Sequence, residues 1–346
     1  MKVINKAPLF LLLASLLYTG CENQEITFDD FDYTAVYFPL QSPLRTLVLG
    51  SDRIDNSLDN ELKFNVGVSI GGLYTNDQEW TVGVDFAPEL AQGLKNVAGD
   101  SLYLLPNAYI RQVSPAVPGQ AIIPAGEYNA LFEFQLEDAF LDDPLAWTGQ
   151  YVLPLRLVET SADSILIGRS NLPNPDPRVA SDWAVDASPK DFTLFGIKFV
   201  NQFHGNYLQR GRVIQTNAQG QTIGTTRYRA NFLTQNTIWT LSTRGRNTVV
   251  TNGVANEVGT GFGMQLNISG NQITISPAPG TQYAVSGTGT FIPASESPEL
   301  WGGTTHNTLH LNYAYTVGEN VFMATDTLVI RDRNITFEEI DLVVVE

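Results

Sequence analysis

Several residue groups have the types that chemistry requires, and their spacing decides each case. Gly67-Val68-Ser69-Ile70-Gly71 matches the nucleophile-elbow pattern of serine hydrolases, which needs a sharp strand-to-helix turn exposing the hydroxyl. Here Ser69 lies inside the alternation Leu62, Phe64, Val66, Val68, Ile70 and points away from it. The strand then runs into a turn, Leu73-Tyr74-Thr75-Asn76-Asp77, and not into a helix. His306 and His310 would stand ~13 Å apart on a strand rising ~3.3 Å per residue, too far to share a metal. Asp138, Asp142 and Asp143 carry hard oxygens suited to calcium but follow no EF-hand spacing. Glu338, Glu339 and Asp341 read as a candidate carboxylate pair, but adjacent residues in a strand point to opposite faces, so Glu338 and Glu339 cannot flank one glycosidic bond, and a solvated edge is the expectation. The glycines at 259, 261, 263, 287 and 289 have no βαβ setting for a nucleotide. The expectation is a non-enzyme with no catalytic set, no metal and no cofactor.

Aromatic side chains remain. A sugar ring offers a C–H face to Trp or Tyr, and its hydroxyls need Asn, Gln, Asp, Arg or backbone partners. Trp80 and Trp239 sit in alternating strands and are expected in a sandwich core and a barrel core. Trp183, at the change in sequence character, is expected between the two halves. Trp147 lies beside a turn. Trp301 falls in Ser297-Pro298-Glu299-Leu300-Trp301-Gly302-Gly303-Thr304-Thr305-His306-Asn307, a polar, Gly-rich stretch without alternation. The candidate ligand-contacting residues are therefore Trp301, Trp147, His306 and Asn307, with a loop-anchoring role for Trp301 as the competing reading.

The elements that must position them are strands. Tyr33 to Leu40, Arg45 to Leu49, Glu61 to Ile70, Trp80 to Asp85, Tyr109 to Val113, Ala121 to Ile123, Tyr128 to Leu136 and Tyr151 to Leu157 form a sandwich-like set. A short helix is expected from Pro88 to Leu94. After Asn171-Leu172-Pro173-Asn174-Pro175-Asp176-Pro177 the pattern becomes nearly pure alternation. Tyr228-Ala230-Phe232, Trp239-Leu241 and Leu309-Leu311-Tyr313-Tyr315 each supply one buried face. Turns are expected at Asn217–Gly220 and Ser269–Asn271. Long alternation without helix implies a closed antiparallel barrel, because closure removes exposed edges. The resulting division is a sandwich over 33–170, a linker over 171–190 and a barrel over 191–346.

Composition bounds the partners. Met1-Lys2-Val3-Ile4-Asn5-Lys6, an apolar run from Ala7 to Leu17, and Tyr18-Thr19-Gly20-Cys21 read as a signal peptide over residues 1–20. Cys21, the chain's one cysteine, stands where lipoprotein signals place the acylated residue, which would give a lipid anchor. An acidic tether, 21–32, comes after it. Residues 22–190 hold 25 acids and 9 bases, whereas 191–346 hold 11 and 9. So anionic a chain repels phosphate, which excludes nucleic acid as a partner.

Phe-Thr-Leu-Phe-Gly-Ile-Lys-Phe-Val-Asn (192–201), Phe-His-Gly-Asn-Tyr (203–207), Tyr37-Phe38-Pro39, Ile123-Pro124-Ala125-Gly126 and Thr327–Arg333 resemble the two-domain surface lipoproteins of Bacteroidota glycan-utilisation loci. The resemblance implies an immunoglobulin-like N-terminal β-sandwich followed by a lipocalin-like β-barrel, both domains of unknown function. It also implies an outer-membrane, outward-facing location and non-catalytic capture of a glycan or oligosaccharide for an outer-membrane importer. A structural or adhesive accessory role, contacting protein partners, is the alternative.

Overall fold

The computed structural model describes residues 31–259, 261–281 and 283–345. Cys21, the signal segment and the tether as far as residue 30 lie outside them.

The chain is all-β, a sheet-rich N-terminal part followed by a closed eight-stranded antiparallel barrel. The N-terminal part is a sandwich. Its first sheet runs Ser164–Ile165, Ala35–Tyr37, Lys63–Gly71, Asn129–Leu136, Ile110–Ser114. The second runs Glu338–Glu339, Pro43–Val48, Phe192–Val200, Tyr151–Thr160, Trp80–Phe86, Gln120–Ile123, with Tyr103–Leu104 also paired to Tyr151–Thr160. Phe64, Val66, Val68 and Ile70 share the core with Leu153, Leu155, Phe195, Ile197 and Phe199. Phe64 stacks on Phe195 across the sheets, with centroids 5.5 Å apart. The helix expected after Pro88 is a short 3-10 turn, Pro88–Ala91.

The second sheet has a further apolar layer on its outer side, where Leu90, Leu94, Val152, Phe192, Leu194 and Ile340 cluster. Phe192–Val200 is thus covered on both faces, which is why it reads as an almost unbroken apolar run and not as alternation. Gly196 is glycine for the same reason: a Cβ there would fall 2.4 Å from Ile340 Cδ1. This strand was expected to open the barrel. It instead lies in the sandwich, parallel to Pro43–Val48 and antiparallel to Tyr151–Thr160. The chain's end returns too: Glu338–Glu339 pairs with Pro43–Val48, and Leu342–Val344 with Leu94–Asn96. The span 191–346 is therefore divided between the two units. Its first strand and its tail belong to the sandwich.

The barrel runs Gly205–Thr216, Thr237–Gly245, Thr248–Thr251, Met264–Ser269, Gln272–Pro277, Val285–Ile292, Thr308–Val317, Asn320–Asp332, and closes by pairing the last strand with the first. Thr222–Tyr228 flanks the first strand outside the ring. Inward side chains such as Tyr207, Trp239, Leu266, Leu311 and Leu328 fill it. The turns at 217–220 and 269–271 fall where expected. Phe232 does not share a buried face with Tyr228: the strand ends at Tyr228, and Phe232 is 67% exposed.

Two arginines join the units. Arg333 donates to the carbonyls of Leu49 (3.1 Å), Ser51 (3.0 Å), Asn201 (2.7 Å) and His204 (2.9 Å). Arg246, in the turn after Thr237–Gly245, forks onto Asp138 at 2.7 and 2.9 Å and reaches Asp142 at 3.1 Å.

Candidate functional site

The Trp301 stretch is a miniature hairpin. Leu300–Trp301 pairs with Thr304–Thr305 through Gly302 and Gly303, whose φ of +57° and +83° suit a two-residue turn that other side chains would strain. His306 folds back over this turn. Its ring stacks on the indole at 4.2 Å and 11°, and its Nε2 lies 3.1 Å from the Trp301 carbonyl and 3.2 Å from Thr304 Oγ1. The indole Nε1 donates to the Ile330 carbonyl at 3.2 Å, tying the hairpin to the barrel's last strand. Asn307 accepts from the Ala294 amide through its side chain (2.7 Å) and from the Ile330 amide through its carbonyl (3.0 Å).

Trp301, Thr305, His306 and Asn307 line a cleft of about 190 Å³ with Asp52 and Arg53 of the sandwich and Arg331 and Asp332 of the barrel. Three of the four sequence candidates are thus brought together, at the junction of the two units. One indole face is occupied by His306, so Trp301 is both an anchor of its hairpin and a wall of the cleft. The cleft is smaller than the roughly 300–1,000 Å³ that engulfs a drug-sized molecule, and suits the edge of a ring. A larger groove, about 460 Å³, lies on the sandwich among Phe38, Leu40, Leu44, Phe195 and Phe337, and is predominantly apolar.

Trp147 is elsewhere. It is half-buried, edge-on to Phe199 at 6.5 Å, and packs on the sandwich core. Trp80 and Trp239 are core, as their strands imply. Trp183 is not between the units: it donates to the Asp176 carbonyl at 2.8 Å and covers Gly168, fastening its own loop.

The remaining chemistry-bearing groups are engaged structurally. Ser69 Oγ donates to Asn129 Oδ1 at 2.6 Å, across to the neighbouring strand. Asp138 and Asp142 receive Arg246, and Asp143 accepts the hydroxyls of Tyr109 (2.9 Å) and Tyr151 (2.8 Å). Glu338 pairs with Lys198. His310 Nδ1 meets Thr327 Oγ1 at 3.1 Å.

Sequence reasoning missed Asp326. It is fully buried in the barrel, where Gln209 and Tyr228 donate to one oxygen (2.8 and 2.7 Å) and Tyr313 to the other (2.5 Å). Burial pushes its carboxyl up to about 6 against the pull of these three donors. The signal was available: Asp326 occupies an inward position between Ala324 and Leu328, where an acid must find partners. His204 is driven the other way, down to about 4, by burial and then by the neighbouring Arg333 and Lys198 charges.

A sandwich joined to a closed barrel, with a small junction cleft, defines the class. Residues 202–334 match a family model described as a domain of unknown function, DUF5627, and residues 29–164 match one described as an N-terminal domain. The first interval begins after the Phe192–Val200 strand and ends before the returning tail. Among solved structures, the chain is similar to a Bacteroides ovatus protein of unknown function: 29% identity, TM-score 0.80, covering 91% of this chain and 100% of that one. A Bacteroides ovatus multidomain protein including DUF1735 aligns at 11% identity and TM-score 0.44, over 88% of this chain and 97% of that one. A comparison with curated proteins found no match.

Proposed function

We propose that this protein is a non-catalytic glycan-binding lipoprotein, anchored through Cys21 at the outer membrane and facing outward, that captures glycan for an importer. The observation that supports the binding role is the Trp301–His306 stack in the wall of a cleft that is built from both units and also lined by Asp52, Arg53, Asn307 and Arg331. Such a site offers an apolar ring edge beside Asn, Asp and Arg groups, the pairing a sugar needs. Engaged structural partners for Ser69, Asp138, Asp142 and Glu338 support the non-catalytic part.

The test is calorimetry of the full chain against an oligosaccharide panel, with Trp301→Ala alongside. Removing the indole should weaken binding about thirtyfold, corresponding to ~2 kcal/mol for ~80–100 Å² of stacked surface. Unchanged affinity would move the site away from the cleft, and an empty panel would sink the glycan reading. A second reading, docking of a protein partner, is favoured by the apolar groove beside Phe337, which is 73% exposed. Co-purification with importer components, abolished by Phe337→Asp, would support it.

A further inference from the structure

Next to the Trp301 hairpin lies a block of arginines that the ion-pair pattern leaves nearly unneutralised. Arg212 on Gly205–Thr216 is the direct cross-strand partner of Arg227 on Thr222–Tyr228, so the two side chains share one face. Arg210 is two residues along the same strand. Arg229 comes directly after Tyr228, where the partner strand ends. The facing pair Arg212 and Arg227, with Arg210 and Arg229 each two residues away in sequence, makes a grid of four arginines on the outer surface of the barrel. Arg212, Arg227 and Arg229 are all exposed, and none has a carboxylate partner among the described residues. Arg210 has one, Glu299, which stands two residues before Trp301 and binds the grid to the hairpin.

This arrangement is costly for a folded chain. Like charges directly opposite each other on a sheet repel. It is also unexpected here, because the sequence holds 36 acids against 20 bases and has acid to spare for every arginine. A grid in which only Arg210 meets an acid, on a protein with net charge −16, is suited to an external anion. Arginine is the side chain that forks onto carboxylate and sulfate oxygens, and the spacing of neighbouring strands puts two forks within reach of successive anionic groups on a chain.

We infer that the captured glycan is acidic, with its carboxylate or sulfate groups held by Arg212, Arg227 and Arg229 while a ring edge enters the Trp301–His306 cleft. This rests on the glycan-binding reading and adds the substrate class to it. A nucleic acid is disfavoured because the protein's overall charge repels a long phosphate polymer, whereas a spaced, sparsely charged glycan needs only the local grid.

The experiment is calorimetry of the full chain with three oligomers of equal length: a neutral galactan, an oligogalacturonate and a sulfated galactan. Each is measured at low and at physiological salt. An acidic oligomer should bind at least about tenfold more tightly than the neutral one, with the preference shrinking as salt rises. The carboxylate and sulfate arms identify which anion is preferred. The Arg212→Gln/Arg227→Gln variant should lose most of that preference, and its melting temperature should hold or rise as repulsion is relieved. Equal affinity for neutral and acidic oligomers would overturn this inference and leave the glycan reading standing. So would a preference that survives the double variant. Tighter binding of a short DNA duplex through the same arginines would assign the grid to nucleic acid instead. Failure of all three oligomers to bind would remove the inference together with the reading beneath it.

Discussion

The guanidinium of Arg333 lies 3.1 Å from the carbonyl of Leu49, 284 positions away in the chain. It is a buried cation with no carboxylate in ion-pair range among the described residues, although the Asp52 charge lies near enough to favour it; its charge is met chiefly by carbonyl dipoles from the Pro43–Val48 strand's exit, from the junction at 201–204, and from Ser51. This side chain therefore bridges the two units at the cleft, whose walls carry Asp52 from one and Trp301 from the other.

Replacing Arg333 by Ala should cost about 2–4 kcal/mol, since four carbonyls lose a donor and that of Asn201 is left buried without it. Arg333→Lys should recover only part, because one ammonium cannot fork to both sides of the junction. Urea denaturation monitored by tryptophan fluorescence reads this directly. A loss below about 0.5 kcal/mol for Arg333→Ala would mean the junction is held by apolar packing.

The Arg246 contact is the contrasting case. It is bidentate but exposed, and Asp138 and Asp142 remain largely in water. Arg246→Ala should therefore change stability by no more than about 1 kcal/mol, and less in high salt. Comparing its denaturation midpoint with that of Arg333→Ala, at low and high salt, separates a screened surface pair from a buried one.

Much of this fold was legible because alternation marks any strand with one wet face. Lys63–Gly71, Asn129–Leu136 and Thr308–Val317 are each readable from every second residue. What could not be read was membership. Phe192–Val200 is buried on both faces, so its sequence carries no sign of which sheet it enters, and proximity in the chain assigned it to the wrong unit. The site divides similarly. Trp301, His306 and Asn307 are near in sequence and were found together, whereas Asp52 and Arg53 reach the cleft from some 250 residues away and leave no local trace. Arg212 and Arg227 face each other only because a hairpin register places them so.

That membership has a consequence for proteolysis. The loop between Leu172 and Asp186 is the expected site of nicking, because it is exposed and Pro-rich, although Arg178 fastens it by donating to the carbonyls of Leu90 (3.1 Å) and Gln92 (2.5 Å). A nick there should leave two fragments that co-elute under native conditions. The C-terminal fragment keeps Phe192–Val200 inserted between two strands of the N-terminal one, and its tail remains paired with Pro43–Val48. Size-exclusion chromatography before and after urea tests this; fragments that part without denaturant would show that the inserted strand is not what binds them.

Asp326 and His204 should give the stability of the protein opposing pH dependences in one window. Asp326 holds its proton to about pH 6 in the folded chain, against an ordinary value of 3.8. Between those values the folded state binds more protons than the unfolded. Its contribution is full below about 3.8 and is lost as pH rises through 6. His204 titrates at about 4 when folded, against an ordinary 6.5. It contributes above 6.5, and that contribution is lost as pH falls through 4. Each effect is worth up to about 3 kcal/mol, so over pH 4–6 the two slopes largely cancel. Asp326→Asn should then leave a stability that climbs with pH from 4 to 6.5, and His204→Gln one that falls across pH 4–6. The asparagine will also lower stability by a constant amount, because its amide nitrogen faces hydroxyl donors from Tyr228 or Tyr313. The slope relative to the unsubstituted protein is therefore what decides, and referring each variant to that protein removes the other titrating carboxylates. Urea midpoints at pH 4, 5, 6 and 7 suffice. A curve for Asp326→Asn that runs parallel to the parent's would mean that Asp326 stays ionised throughout this range, held so by its three donors in spite of its burial.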